Sequence, residues 1–377
     1  MGDYPVIDWA EEGAGERSAR WRSESGAPPP RQMAIVDDRI TADQAYGLAC
    51  QGTALLWRGD YQNARQLLAA LGKRSDRGPR KAKAATPAEA FNRHRQLQAQ
   101  RARTLGMLLV ELDGEHAIAL RRAPDVREAC REAWGEGEGP CVVSLRELLG
   151  VIGAHEWRAK GIPVAALGAR IHPHYGVFTP IRQEYVDLVA KAPLPAAAAG
   201  GIAFDVGTGT GVLAAVLARR GIARVIATDR DPRALACARE NLVRLGLAEQ
   251  AEVVEADLFP EGRAALVLCN PPWVPARPAT PIEGGIYDPE SRMLRAFLAG
   301  LAAHLAPGGE GWLVLSDLAE HLGLRTRQEL LALFEGAGLA VLGRREAKPR
   351  HPKAADEDDP LHAARAAEVT SLWRLGK

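Results

Sequence analysis

Between residues 202 and 316, short apolar runs alternate with helix-length stretches, and that alternation leaves few folds open. The runs are Ile202 to Val206, Val225 to Thr228, Glu252 to Glu255, Leu266 to Cys269 and Trp312 to Ser316. Each has the length and apolar content of a strand buried on both faces. Helical stretches are expected over about Val212 to Arg220, Pro232 to Leu245 and Pro289 to Leu305. A strand-helix alternation of this kind builds a parallel sheet through right-handed crossovers. A further helix is expected near Thr326 to Ala337, followed by strand-like runs at Leu339 to Arg345 and Glu368 to Leu375. No helix-like stretch separates these last two, so they are expected to pair as an antiparallel hairpin at the sheet edge, joined by the polar loop Lys348 to Arg365. The fold class is α/β, with a mainly parallel seven-stranded sheet.

The first of these strands runs into Asp205-Val-Gly-Thr-Gly-Thr-Gly211. Gly207, Gly209 and Gly211 let the backbone turn sharply from strand to helix and approach a ligand with no Cβ in the way. A second acid, Asp229, stands where the second strand should end, placed to accept hydrogen bonds from ribose hydroxyls. A third, Asp257, follows the third strand. Asp229 and Asp231 compete for another role, since either can cap the helix opened by Pro232.

After the fourth strand comes Asn270-Pro271-Pro272-Trp273. An amide or exocyclic amino nitrogen is a poor nucleophile because its lone pair is conjugated, yet its N–H groups donate hydrogen bonds. The side-chain carbonyl of Asn270 and the backbone carbonyl of Pro271 can accept them and aim the nitrogen at an electrophile. Two consecutive prolines fix φ and make that carbonyl's direction rigid. Trp273 then offers a flat face for stacking.

Taken together, the glycine loop, the three acids and the Asn-Pro-Pro-aromatic motif resemble the class I S-adenosylmethionine-dependent methyltransferases. The resemblance is to the HemK/PrmC-like and small-methyltransferase group, which methylates planar amino nitrogens. It implies a Rossmann-like fold with S-adenosylmethionine as cofactor. The cofactor-binding residues it implies are Asp205, Gly207, Thr208, Gly209, Gly211, Asp229, Arg230, Asp257, Leu258 and Asn270. Asn270, Pro271, Pro272 and Trp273 form the implied acceptor site, and no metal is implied. A looser likeness to that group's segment before the cofactor loop lies in His174 to Tyr185, where Pro180, Arg182 and Glu184 stand. The same residues also read as a plain helix start, with Thr179 as cap and Pro180 at the first position.

The first half differs in character. Residues 1–34 mix Glu, Arg, Gly and Ser, end on three prolines and read as a flexible tail, although Trp9 and Trp21 leave room for docking. Residues 35–165 read as a helix-rich mixed substrate-recognition domain, and 166–377 as the methyltransferase domain. In the middle section, Ala64, Leu67, Leu68 and Leu71 share one helix face behind Asp60, and a polar helix is expected over Ala88 to Arg103. Asp113-Gly114 between two strand-like runs predicts a β-hairpin. Ser144 to Glu147 has capping-box spacing before a helix toward Trp157.

Charge narrows the substrate little. The 377 residues carry 48 Lys and Arg against 47 Asp and Glu. Yet Arg58 to Arg103 holds twelve basic residues and three acids, with Lys73 to Lys83 read as an exposed loop that could meet phosphates. A protein glutamine amide, an amino group of a base in RNA, and a small molecule or biosynthetic peptide all remain open as acceptors. So does a non-catalytic S-adenosylmethionine-binding scaffold, although the glycines and Asn270 it would be expected to lose are present. A dinucleotide-dependent oxidoreductase would explain the glycines but not Asn270 to Trp273. The five scattered cysteines and the lack of any long apolar run predict a cytoplasmic protein with no membrane partner.

Overall fold

The computed structural model describes residues 5–11, 13, 15–76, 84–350 and 355–377. Its contacts divide the chain into one unit from 1–83 and 92–156, and a second from 84–91 and 157–377. The boundaries expected at 34/35 and 165/166 therefore shift. Phe91 goes with the second unit because it packs against Val274, Leu322 and Leu361 there.

The second unit holds the seven-stranded sheet. Its spatial order is Ala251–Glu255, Arg224–Asp229, Ile202–Val206, Ala264–Cys269, Leu305–Ser316, Thr370–Gly376, Ala340–Ala347. The first five run parallel, and Thr370–Gly376 is antiparallel to both of its neighbours. The chain steps outward from Ile202–Val206 in one direction, then returns to its other side at Ala264–Cys269. This reversal opens a crevice at the carboxyl ends of those two strands. Side chains alternate across the sheet. Ala203, Leu266, Leu268, Trp312 and Val314 meet the helices Glu184–Lys191 and Val212–Arg219 on one face. Phe204, Val206, Val267, Leu313 and Leu315 meet Arg292–His304 and Arg327–Gly336 on the other.

Two details depart from the expected pattern. The helix expected from Pro289 starts at Arg292, because Glu290 and Ser291 take left-handed φ values of 58° and 55°. The Asp288 carboxylate then accepts from Met293 N at 2.9 Å and takes the capping place. The polar loop before the last strand contains a short helix, His362–Ala367.

The first unit contains a six-stranded sheet that the sequence reading largely missed. Its order is Val6–Glu11, Gly15–Arg22, Cys141–Ser144, Leu108–Leu112, Thr53–Trp57, Gln32–Val36. The segment read as a flexible tail thus supplies two strands and most of a third. Its period-two pattern places Ile7, Trp9, Ala19 and Trp21 inward, against Ala54, Leu56, Leu109 and Val142. Charged residues on the outward face disguise that pattern as tail composition.

The predicted hairpin at Asp113-Gly114 does not form. Leu108–Leu112 instead pairs parallel to Thr53–Trp57 and antiparallel to Cys141–Ser144. The Asp113 carboxylate accepts from the backbone of Glu115 and Ala117, at 2.9 and 2.8 Å, and bends the chain locally. Downstream, Arg121 and Arg122 are drawn to the buried Asp60 carboxylate, at 2.9 and 2.6 Å.

Asp60 also caps Tyr61–Ser75, accepting from Gln62 N at 2.9 Å. Ser144 accepts from Glu147 N at 3.4 Å. The Glu147 carboxylate does not close the capping box, because it accepts from Ser23, Glu24 and Ser25. The polar helix spans Pro87–Gly106. Lys73 lies in Tyr61–Ser75, and residues 77–83 of the expected basic loop fall outside the described residues.

Candidate active site

The crevice is floored by the glycine loop. Gly207, Gly209 and Gly211 all have left-handed φ, at 73°, 55° and 78°. Gly207 N and Thr208 N both donate to the Thr228 carbonyl, at 2.9 and 2.8 Å. A Cβ on Gly211 would stand 3.2 Å from Ala238 Cα, so that glycine serves helix packing. A Cβ on Gly209 would meet nothing within 4 Å. That open face is the cradle a nucleotide-type cofactor needs.

Asp205 lies beneath the loop, fully buried. Its Oδ2 accepts from Thr208 Oγ1 at 2.6 Å and from Ala214 N at 2.9 Å. Burial nevertheless pushes its carboxyl up to about 6, against those two hydrogen bonds and with the Asp229 charge adding to the rise. Asp205 is thus the internal brace of the loop.

Asp229 is placed differently. Its Oδ2 accepts from Gly209 N at 3.0 Å, and its Oδ1 from Arg230 N at 2.8 Å and Asp231 N at 3.0 Å. The helix cap is Asp231, which accepts from Arg233 N at 2.8 Å. The sequence left that role open between the two acids. Arg230 and Asp257 are exposed. Leu258 takes a left-handed φ of 79°, an uncommon state for a leucine. Its carbonyl accepts from the Thr228 hydroxyl. Thr228 therefore ties the first loop to the third, a role missed in the sequence; a fully buried threonine within an apolar strand is the signal that could have found it.

Asn270 enters the same crevice. Cys269 pairs with Val206, so Asn270 and Gly207 leave adjacent parallel strands at one end. Pro271 is buried, and Asn270, Pro272 and Trp273 are half-buried. Trp273 Nε1 donates to Asn270 Oδ1 at 2.8 Å. The indole also lies edge-on to Tyr185, with ring centres 6.4 Å apart.

The segment before the first strand contributes as well. Its helix begins at Glu184, not at Pro180, and the Thr179 hydroxyl donates to the Val177 carbonyl instead of capping. The guanidinium carbon of Arg182 stands 5.0 Å from the centre of the Trp273 ring. Arg182 also pairs with Glu184 and Glu368, each at 3.0 Å.

Residues 169–340 match the family model described as methyltransferase small domain. This stretch, just under half of the chain, is similar to that methyltransferase family. Among curated relatives, a release factor glutamine methyltransferase of Cereibacter sphaeroides is 37% identical over 151 residues, covering 36% of this chain and 51% of the relative. A ribosomal protein L11 methyltransferase of Pelotomaculum thermopropionicum is 39% identical over 150 residues, covering 39% of this chain and 41% of the relative. The chain thus spans about half the length of these relatives. Among solved structures, ribosomal protein L11 methylase from Lactobacillus delbrueckii subsp. bulgaricus has a TM-score of 0.36 at 16% identity, covering 52% of this chain and 77% of that one.

Within the second unit, the strand order and the reversal beside the first strand give the Rossmann-like architecture expected from the sequence. The open face at Gly209 and the Asp229 carboxylate bonded to its N–H fit a ribose-bearing donor such as S-adenosylmethionine. Among the described residues no helix is long and apolar enough to cross a membrane.

Proposed function

We propose that the methyltransferase domain binds S-adenosylmethionine and methylates a planar amino nitrogen, and that the acceptor is the side-chain amide of a protein glutamine. The observation that carries this reading is the position of Asn270, a carbonyl acceptor held by Pro271 on the strand beside the glycine loop. Curated relatives named release factor glutamine methyltransferase support the choice of acceptor.

The donor supplies a methyl carbon on a sulfonium; transfer leaves a thioether and frees one proton from the acceptor nitrogen. The chain's contribution is orientation. Asp229, Gly209 and Asp257 would hold the donor's nucleoside, and Gly207 and Thr208 its amino-acid end. Asn270 Oδ1 and the Pro271 carbonyl would accept the two amide N–H groups, turning the nitrogen lone pair out of conjugation and toward the methyl. The five free thiols fit action in a reducing cytoplasm.

The test is incubation of the protein with methyl-labelled S-adenosylmethionine and a cell extract. Label is expected in protein and recovered as N-methylglutamine after enzymatic digestion. Label in RNA would shift the acceptor to a base amino group. Measurable donor binding with no label anywhere would favour a scaffold.

A further inference from the structure

We propose that Trp273 serves the acceptor site through its indole N–H, not as a stacking plate, and that Arg182 is the positioning residue that holds it there. The proposal rests on the methyl-transfer reading and assigns the work inside that site.

An indole nitrogen can only donate. Trp273 Nε1 donates to Asn270 Oδ1 at 2.8 Å, three residues back along the chain. A carboxamide rotated by half a turn would set its NH2 against that N–H and lose the bond. The indole therefore selects the rotamer in which Asn270 Oδ1 faces the indole N–H. One lone pair of Oδ1 is used by Trp273, and the second stays available for an acceptor N–H.

The indole ring already has partners. Arg182 stands over the ring, Tyr185 meets it edge-on, and the indole packs against both cores of the sheet and the Val274–Leu322 cluster. Arg182 is itself anchored at two points. Its Nε bonds Glu184 Oε1 and its Nη1 meets Glu368 Oε1, both at 3.0 Å. Glu184 and Glu368 are 4% and 1% exposed, and the Ser316 hydroxyl also donates to Glu368 Oε1. A planar guanidinium satisfies this arrangement of two carboxylates and one aromatic face; a lysine ammonium offers no matching plane. The chain of contacts runs from Glu368 and Glu184 through Arg182 to Trp273, and from there to Asn270.

The test uses Trp273→Phe, which keeps a flat face and loses the N–H, together with Arg182→Lys, Arg182→Gln and Asn270→Ala. In the full-length protein, the indole N–H resonance that disappears in Trp273→Phe is assigned to Trp273, and its hydrogen exchange is followed by NMR. Asn270→Ala and Arg182→Gln should each speed that exchange at least about tenfold. An exchange rate unchanged in both would overturn the proposal, whether or not methyl transfer is ever seen. With labelled donor and the acceptor fraction, Trp273→Phe should lower kcat at least about tenfold while KM and donor affinity move less than about threefold. Arg182→Lys should restore part of the kcat lost in Arg182→Gln. Full kcat in Trp273→Phe, or a loss confined to KM, would return Trp273 to the stacking role. A wild-type protein that transfers no methyl but shows the expected exchange pattern would sink the functional reading and leave the contact standing. A variant with a lowered unfolding midpoint is replaced by the exchange measurement on Asn270→Ala.

Discussion

The backbone N–H of Gly209 donates to Asp229 Oδ2 at 3.0 Å, joining the loop after the first strand to the end of the second. One carboxylate thereby shapes the cradle, and its proposed second task is to hold the donor's ribose. Asp229→Ala is expected to weaken S-adenosylmethionine binding at least tenfold, and Asp229→Asn, which keeps an acceptor, by less. Calorimetric titration of both variants checks the order; equal affinities would remove Asp229 from the site.

Gly209 and Gly211 differ in their surroundings. Both have left-handed φ, but only Gly211 faces close neighbours, at 3.2 Å from Ala238. Gly211→Ala is expected to cost about 2–3 kcal/mol of stability, from strain and crowding together. Gly209→Ala should cost about 1 kcal/mol yet reduce donor affinity more, because its methyl enters the open face. Urea unfolding and calorimetry on the two variants give both numbers.

Asn270→Ala should lower methyl transfer by about a hundredfold or more, as loss of a positioned hydrogen-bond acceptor does, while donor affinity stays within threefold. Retained turnover would remove Asn270 from the acceptor site.

Asp205 makes stability depend on pH. Its folded carboxyl titrates near 6 against an ordinary 3.8, so the folded state holds the extra proton between those values. Stability therefore falls as pH rises through that window, with a loss approaching about 3 kcal/mol above pH 7. Asp205→Asn lacks this titration. The stability of wild type relative to Asp205→Asn should decline between pH 4 and 7.5, measured by denaturant unfolding; a flat difference would contradict the assignment.

Trp21 tests the N-terminal strands. It is buried, and its indole N–H donates to the Ala27 carbonyl at 2.7 Å. Trp21→Ala is expected to cost about 3–5 kcal/mol, whereas a side chain on a loose tail would cost almost nothing. Thermal unfolding distinguishes the two.

The seven-stranded sheet and the two ends of the crevice are legible in the sequence because their signals are local. Phe204 to Gly211 states its strand, turn and helix start within one stretch, and so does Leu266 to Trp273. The first unit is harder because its strands find partners far along the chain: Trp21 aligns with Val142, and Glu147 bonds Ser23. Short-range turn chemistry misled at Asp113, where a side-chain hydrogen bond and the pull of Asp60 on Arg121 and Arg122 outweigh a hairpin. Arg182 shows the same limit within the site. Its segment stands out in the sequence, but its partner Glu368 follows a loop near the far end of the chain, and no spacing rule links them.

The Thr370–Gly376 strand lies between two neighbours that are both made before it. Until it arrives, the outer edge of Leu305–Ser316 offers unpaired backbone beside buried leucines, the kind of edge that recruits strands from other molecules. During synthesis this edge therefore stays uncovered until late, after the glycine loop and Asn270 have been made, and a chain truncated before residue 370 would carry those residues without the strand that pairs with Leu305–Ser316.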